Sequence, residues 1–121
     1  MTRKETGQKG ELLAQDYLKK RGYRIIETNF RTRYGEIDII AKQKDFLAFI
    51  EVRTKKSREF GIPEESITET KAERLKTVAY HYLETHKNLP SQWRIDFIAI
   101  ELDEKGKPSR INLIENAVEE E

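Results

Sequence analysis

Gly35-Glu36-Ile37-Asp38-Ile39-Ile40-Ala41, the polar link Lys42-Gln43-Lys44-Asp45, and Phe46-Leu47-Ala48-Phe49-Ile50-Glu51-Val52-Arg53 decide the reading of this chain. Two apolar, β-branched runs on either side of a short polar link read as neighbouring strands of a hairpin. Each carries an acid where a buried strand is otherwise apolar: Asp38 in the first, Glu51 in the second. The period-2 geometry of a strand puts Leu47, Phe49, Glu51 and Arg53 on one face, and Glu36, Asp38 and Ile40 on one face of its neighbour. A charge among Ile, Phe and Val is costly to bury unless it is paired or metal-bound. Two carboxylates converging on one sheet face suit a hard cation such as Mg2+, whose ligands are oxygens.

Upstream of the hairpin, Thr2 and Glu5 have capping-box spacing and Gly22 suits a left-handed terminator, which predicts a helix from Thr2 to Gly22. Its inward stripe reads Gly7, Gly10, Glu11, Ala14, Tyr17, Leu18. Glu11 therefore lies on or beside the buried face, unless it simply reaches out to solvent. Glycines are poor helix formers, and close packing against a sheet would account for them. Tyr23 to Phe30 reads as a first strand. It leads into the turn Arg31-Thr32-Arg33-Tyr34-Gly35, whose two guanidinium groups and aromatic ring suit phosphate contact and base stacking. An ordinary polar turn has the same composition.

Downstream, Lys55-Lys56-Ser57-Arg58-Glu59-Phe60-Gly61-Ile62-Pro63 is a basic loop broken by Gly and Pro, either a phosphate rail or a solvated connection. A second helix is predicted over Ser66 to His86, with capping-box spacing at both Ser66…Glu69 and Thr70…Glu73. Lys71 extends its apolar stripe of Leu75, Val78, Ala79, Tyr82 and Leu83 at the N-terminal end, where a lysine gains nothing from the helix dipole. His81 and His86, five residues apart without acids at ligand spacing, read as surface residues. Gln92 to Leu102 reads as a strand and Ser109 to Ile114 as an edge strand. A single domain over residues 1–114 and a frayed acidic tail over 115–121 are expected. The order α-β-β-β-α-β-β describes an α/β fold, a mixed sheet flanked by helices.

Composition narrows the function. The net charge of +1 gives no global pull towards nucleic acid, so any such affinity rests on local clustering of the 23 Lys and Arg residues. The absence of cysteine excludes disulfides, thiolate catalysis and Cys-ligated zinc. No stretch approaches the ~18 consecutive apolar residues of a membrane span, so a cytoplasmic protein with no membrane partner is expected. No nucleophile elbow, Gly-rich phosphate loop or His-containing zinc motif is present, and no organic cofactor is implied. A metal held by Asp38, Glu51 and a backbone carbonyl such as that of Val52 would keep positions open for water and a phosphate oxygen. Arg53, on the face of Glu51, is placed to clamp that phosphate or stabilise developing charge.

At Glu11, Gly35-Glu36-Ile37-Asp38, Glu51-Val52-Arg53, Phe60-Gly61-x-Pro63-Glu64 and Lys71 the sequence resembles the YraN family of small bacterial proteins. That family is related to archaeal Holliday-junction resolvases and the wider PD-(D/E)xK nuclease superfamily. The resemblance runs from about Gly7 to about Ile100. It implies a restriction-endonuclease-like fold, Asp38 and Glu51 as metal ligands, Glu11 as an accessory carboxylate, and Mg2+ or Mn2+ as cofactor. It implies DNA, branched or otherwise structured, as the substrate, and a homodimer by analogy alone. The superfamily's third element is a lysine, and here Arg53 stands in its place. A guanidinium does not deprotonate, so Arg53 can orient or stabilise but not act as a base. Lys71 can supply a migrated ammonium group. Lys55 shares the parity of Arg53 but lies ~13 Å along the strand from Glu51.

The expected function is a metal-dependent endonuclease with Asp38, Glu51, Arg53 and Lys71 at its centre. Arg31, Arg33, Tyr34, Lys55, Lys56 and Arg58 would contact the nucleic acid. The alternative is a non-catalytic nucleic-acid-binding or scaffold module on the same fold. A third reading has Asp38 and Glu51 neutralised by Arg53 and Lys71 in a purely structural ion-pair network.

Overall fold

Thr2 caps the first helix as its spacing with Glu5 predicts. The Glu5 amide donates to Thr2 Oγ1 at 3.1 Å, and the Thr2 amide donates to Glu5 Oε1 at 2.9 Å. In the computed structural model, which describes residues 1–59 and 61–118, this helix is α1, Arg3–Lys20. It is followed by β1 (Arg24–Thr32), β2 (Gly35–Gln43), β3 (Phe46–Lys55), a 3-10 turn (Pro63–Ser66), α2 (Glu69–Thr85), β4 (Gln92–Leu102) and β5 (Pro108–Val118). The order is the α-β-β-β-α-β-β read from the sequence. No helix among the described residues is long and apolar enough to cross a membrane.

The strands form one five-stranded sheet in chain order. Neighbours pair antiparallel except β3 and β4, which run parallel. A parallel join needs a long crossover, and α2 supplies it. β3 shows how the two helices divide the sheet. Ala48, Ile50 and Val52 pack with Ala14 and Leu18 of α1, whereas Leu47 and Phe49 pack with Leu75, Val78, Ala79 and Tyr82 of α2. One helix therefore covers each face, and the alternation of β3 feeds both cores.

The glycines of α1 divide into two kinds. A Cβ on Gly10 would sit 1.7 Å from Thr54 Oγ1, so α1 touches β3 backbone-close at this position. Nothing lies within 4 Å of a Cβ on Gly7. Close packing thus explains the first glycine and not the second. Gly10→Ala should lower stability by about 1–3 kcal/mol through overpacking. Gly7→Ala should raise it by roughly 0.5–1 kcal/mol through helix propensity. Thermal melts of the pair check both signs.

Several boundaries differ from the sequence reading, among them the end of β1, which runs on through Arg31 and Thr32 of the expected turn. α2 starts neither at Ser66 nor at Thr70: Thr68 is the cap, its side chain accepting from the Lys71 amide at 3.2 Å. Ser66 belongs to the separate turn that Pro63 opens. β5 runs past Ile114 to Val118, which is buried, so Glu115–Val118 are strand rather than tail. Glu119–Glu121, and Phe60 of the basic loop, lie outside the described residues. The two histidines are half-buried, not surface residues. His81 stacks on Phe30, and His86 stacks on Tyr82 with ring centroids 3.7 Å apart.

Candidate active site

Strict alternation fails in β2 at Asp38, and the failure makes the site. Ile37 and Ile40 both face α2, while Ile39 and Ala41 face α1. The β2–β3 ladder starts only at Ile39↔Ile50, so β2 has left β3 by the time Val52 needs a partner. The Asp38 side chain fills that gap, its Oδ2 accepting from the Val52 amide at 2.8 Å. Across from Asp38 on β1, Asn29 adopts φ 52°, a left-handed conformation that Asn tolerates better than most residues. The Asn29–Asp38 step is also missing from the β1–β2 register, so both strands bend together here.

Asp38 and Glu51 meet at this bend. They are 8% and 7% exposed, and their carboxyl groups are in hydrogen-bonding contact. Burial, and then the charge and contact of Glu51, push the Asp38 carboxyl up to about 8, against the pull of the Val52 amide. A proton is what allows two such groups to stand together in a poorly solvated place. Lys71, in the first turn of α2, reaches Glu51 Oε2 with its Nζ at 2.5 Å. Its parity with Leu75 on the sheet-facing stripe delivers it there.

Glu11 is half-buried one residue beyond the Gly10–Thr54 contact. Desolvation raises its carboxyl, a hydrogen bond from Asn29 opposes the rise, and the charges of Glu36 and Glu51 add to it. Glu11 thus shares the electrostatic field of the pair. Among the described residues, however, no group of three or more His, Cys, Asp or Glu side chains is gathered closely enough to hold a metal ion. The structure brings Asp38, Glu51, Val52 and Lys71 together and leaves Glu11 at their margin.

The predicted phosphate-contacting residues are placed unevenly. Arg53 is exposed on β3 beyond Glu51, Lys55 is half-buried at the strand's end and Lys56 is exposed after it. Arg58 is engaged by both oxygens of Glu101, at 2.6 and 3.0 Å. Arg31 donates to Glu36 at 2.9 Å. Arg33 lies over the ring of Tyr34, its Cζ 4.9 Å from the centroid. Arg33 and Tyr34 thus present a stacked cation and aromatic ring, while Arg31 and Arg58 are committed to carboxylates.

Sequence reasoning passed over several contributors. Asn29 is one; an Asn inside a strand, where β-propensity disfavours it, was the signal. A second group ties down the 3-10 turn from which α2 departs. Arg110 bonds Glu101 and both oxygens of Glu64, the latter at 2.6 and 2.7 Å, and Asn112 donates to Glu64 at 3.0 Å. The Arg110 guanidinium holds the Glu64 carboxyl down to about 2. This network fixes the start of the crossover and so the position of Lys71.

A profile of the uncharacterised protein family UPF0102 matches residues 10–100, a span that contains Glu11, Asp38, Glu51 and Lys71. A UPF0102 protein of Caldicellulosiruptor saccharolyticus is 42% identical over 117 residues, covering 97% of this chain and 99% of its own length. One from Dehalococcoides mccartyi is 45% identical over 119 residues, covering 98% and 97%. A third, from Thermodesulfovibrio yellowstonii, is 44% identical over 117 residues, covering 97% and 98%. The match spans helix, bend and crossover alike, and this chain belongs to the UPF0102 family, the YraN family.

Proposed function

We propose that this protein is a divalent-metal-dependent nuclease that hydrolyses phosphodiester bonds in DNA. The observation that carries the proposal is the buried contact between Asp38 and Glu51. Nothing in fold stability calls for two acids in contact, and their mutual repulsion is what a dication relieves. The donor set fits Mg2+ or Mn2+, which use one or two carboxylates and keep several waters. Asp38, Glu51 and a backbone carbonyl such as that of Val52 would hold the ion, with Glu11 outside its ligand set. A bound dication supplies charge for a phosphate oxygen and lowers the pKa of an attacking water.

The chain's own residues orient and balance. The Val52 amide pins one Asp38 oxygen, which fixes where the other points. Lys71 keeps an ammonium beside Glu51, close enough to offset charge developing on a phosphate. Arg53, exposed on the same strand face, offers a planar fork for the phosphate oxygens.

Calorimetric titration with Mn2+, followed by cleavage assays on linear, flapped and four-way DNA and on RNA, tests the proposal. One-site uptake that disappears in Asp38→Ala, together with metal-dependent cutting of DNA, is the expected result. No cutting of any substrate with either metal overturns the nuclease reading. The Lys71–Glu51 pair favours one competitor, a purely structural ion-pair network. That network is satisfied without metal and predicts no site-specific uptake.

A further inference from the structure

An open depression of about 380 Å3, lined by Tyr34, Thr70, Glu73, Arg74 and Thr77, lies between the β1–β2 turn and α2. The four α2 residues recur at i, i+3, i+4 and i+7, so they form one stripe of that helix. It runs beside the stripe that carries Lys71 to Glu51, and Thr70 is the residue next to Lys71. The opposite wall is Tyr34, which is 43% exposed although it is a large aromatic residue. Gly35 ends the turn at φ 143°, a conformation that favours glycine, and packs at ordinary contact distance beside Val78 of α2.

The chemistry of the walls is that of a nucleobase site. Tyr34 is an exposed ring with the Arg33 guanidinium over it and His81 edge-on at 6.4 Å, a cation and aromatic platform on which the π-face of a base can stack. Arg33 also donates to the Tyr34 hydroxyl at 2.6 Å, which holds ring and cation in one orientation. Across the gap, two threonine hydroxyls and Arg74 can meet a base edge or sugar. Glu73, paired to Lys76 at 3.3 Å, can accept from an exocyclic amine. The depression lies ~13 Å along β2 from Asp38, within the span of a short unpaired segment.

We propose that this depression holds an unpaired nucleobase, and that the protein therefore acts on single-stranded or flapped nucleic acid rather than continuous duplex. The assignment rests on the nuclease reading for its purpose. Its test does not, because binding is measured in EDTA, where nothing is cut.

The probe is a short DNA single strand carrying 2-aminopurine, compared with the same strand annealed into a blunt duplex. The wild type is expected to bind the single strand at least tenfold tighter and to change the emission of 2-aminopurine. Tyr34→Ala should weaken single-strand binding by about tenfold or more, the size of one lost base stack. Tyr34→Trp should retain it. Thr77→Trp, on an exposed position of α2, should block the depression and mimic Tyr34→Ala. Equal affinity for single strand and duplex, or binding indifferent to both Tyr34→Ala and Thr77→Trp, overturns the assignment. If these variants behave as expected while no DNA is ever cut, the base site stands and the nuclease reading falls.

Discussion

Asp38→Asn should abolish metal-dependent cleavage, by at least about 10²–10³-fold, and yet make the metal-free protein more stable at alkaline pH. The substitution is nearly isosteric. Its amide oxygen can still accept from the Val52 amide, and its NH2 group can donate to Glu51. What is lost is the charge that a dication needs, and with it the repulsion inside the pair. The unfolded chain releases the Asp38 proton near pH 3.9, whereas the folded chain holds it to about 8. Between those values the native state binds more protons than the unfolded one, so this group lowers stability as pH rises. Below about pH 4 it contributes nothing, and above about pH 8 its full penalty is felt.

The advantage of Asp38→Asn over wild type should therefore grow from pH 4 to 8 and then level off, at no more than about 5–6 kcal/mol, the upper bound that the usual conversion sets. Added Mn2+ should raise the wild-type melting temperature at pH 8 and leave Asp38→Asn unmoved. Melting curves across pH, with and without Mn2+, decide the matter. A variant no more stable than wild type at any pH would show that the two carboxyls do not oppose each other.

Asp96→Ala should be the most damaging change away from the site, costing about 3 kcal/mol or more. Asp96 is 0% exposed on β4. It accepts from Arg94 Nε at 3.0 Å and from the Asn116 amide at 2.8 Å, where β5 bulges with Asn116 at φ 52°. Burial pushes its carboxyl up, and those two donors oppose the rise. Alanine would strand the Asn116 amide and deprive Arg94 of its buried partner, dropping the melting temperature by on the order of 10 °C. Asp96→Asn keeps an acceptor and should lose much less. Chemical denaturation of the two variants separates them.

Asp96 and Asp38 are instructive together. Each carboxylate mends a break in a strand ladder by taking a backbone amide. Asp96 is completed by an arginine, Asp38 by another acid. From sequence the two are alike, each an Asp in an apolar strand. The hairpin reading singled out Asp38 and Glu51 because two acids in adjoining strands must meet or diverge. Asp96 and Glu101 passed unnoticed because their partners, Asn116, Arg58 and Arg110, come from segments whose proximity only the folded sheet establishes.

The element order and the β4 boundaries were legible because alternation and length both spoke for them. The start of α2 was not. Thr68 caps it, but three residues on stands Lys71 rather than an acid, so the Ser/Thr-x-x-Glu signature points to either side of the true cap. A lysine that local helix preference does not favour has displaced the residue that would have announced the helix. The bend at Asn29 and Asp38 was hidden too, because period-2 reasoning assumes an unbroken ladder.

The parallel pairing of β3 with β4 also imposes an order of assembly. β1, β2 and β3 follow one another through short turns and can zip at little loop-closure entropy. β4 joins only after the chain has passed through the 3-10 turn and α2, a slower, high-contact-order step. If the β1–β3 meander forms first, Asp38 and Glu51 come together before Lys71 of α2 reaches Glu51. Refolding should accordingly slow as the solution is made alkaline, and quicken when Mg2+ is present from the outset.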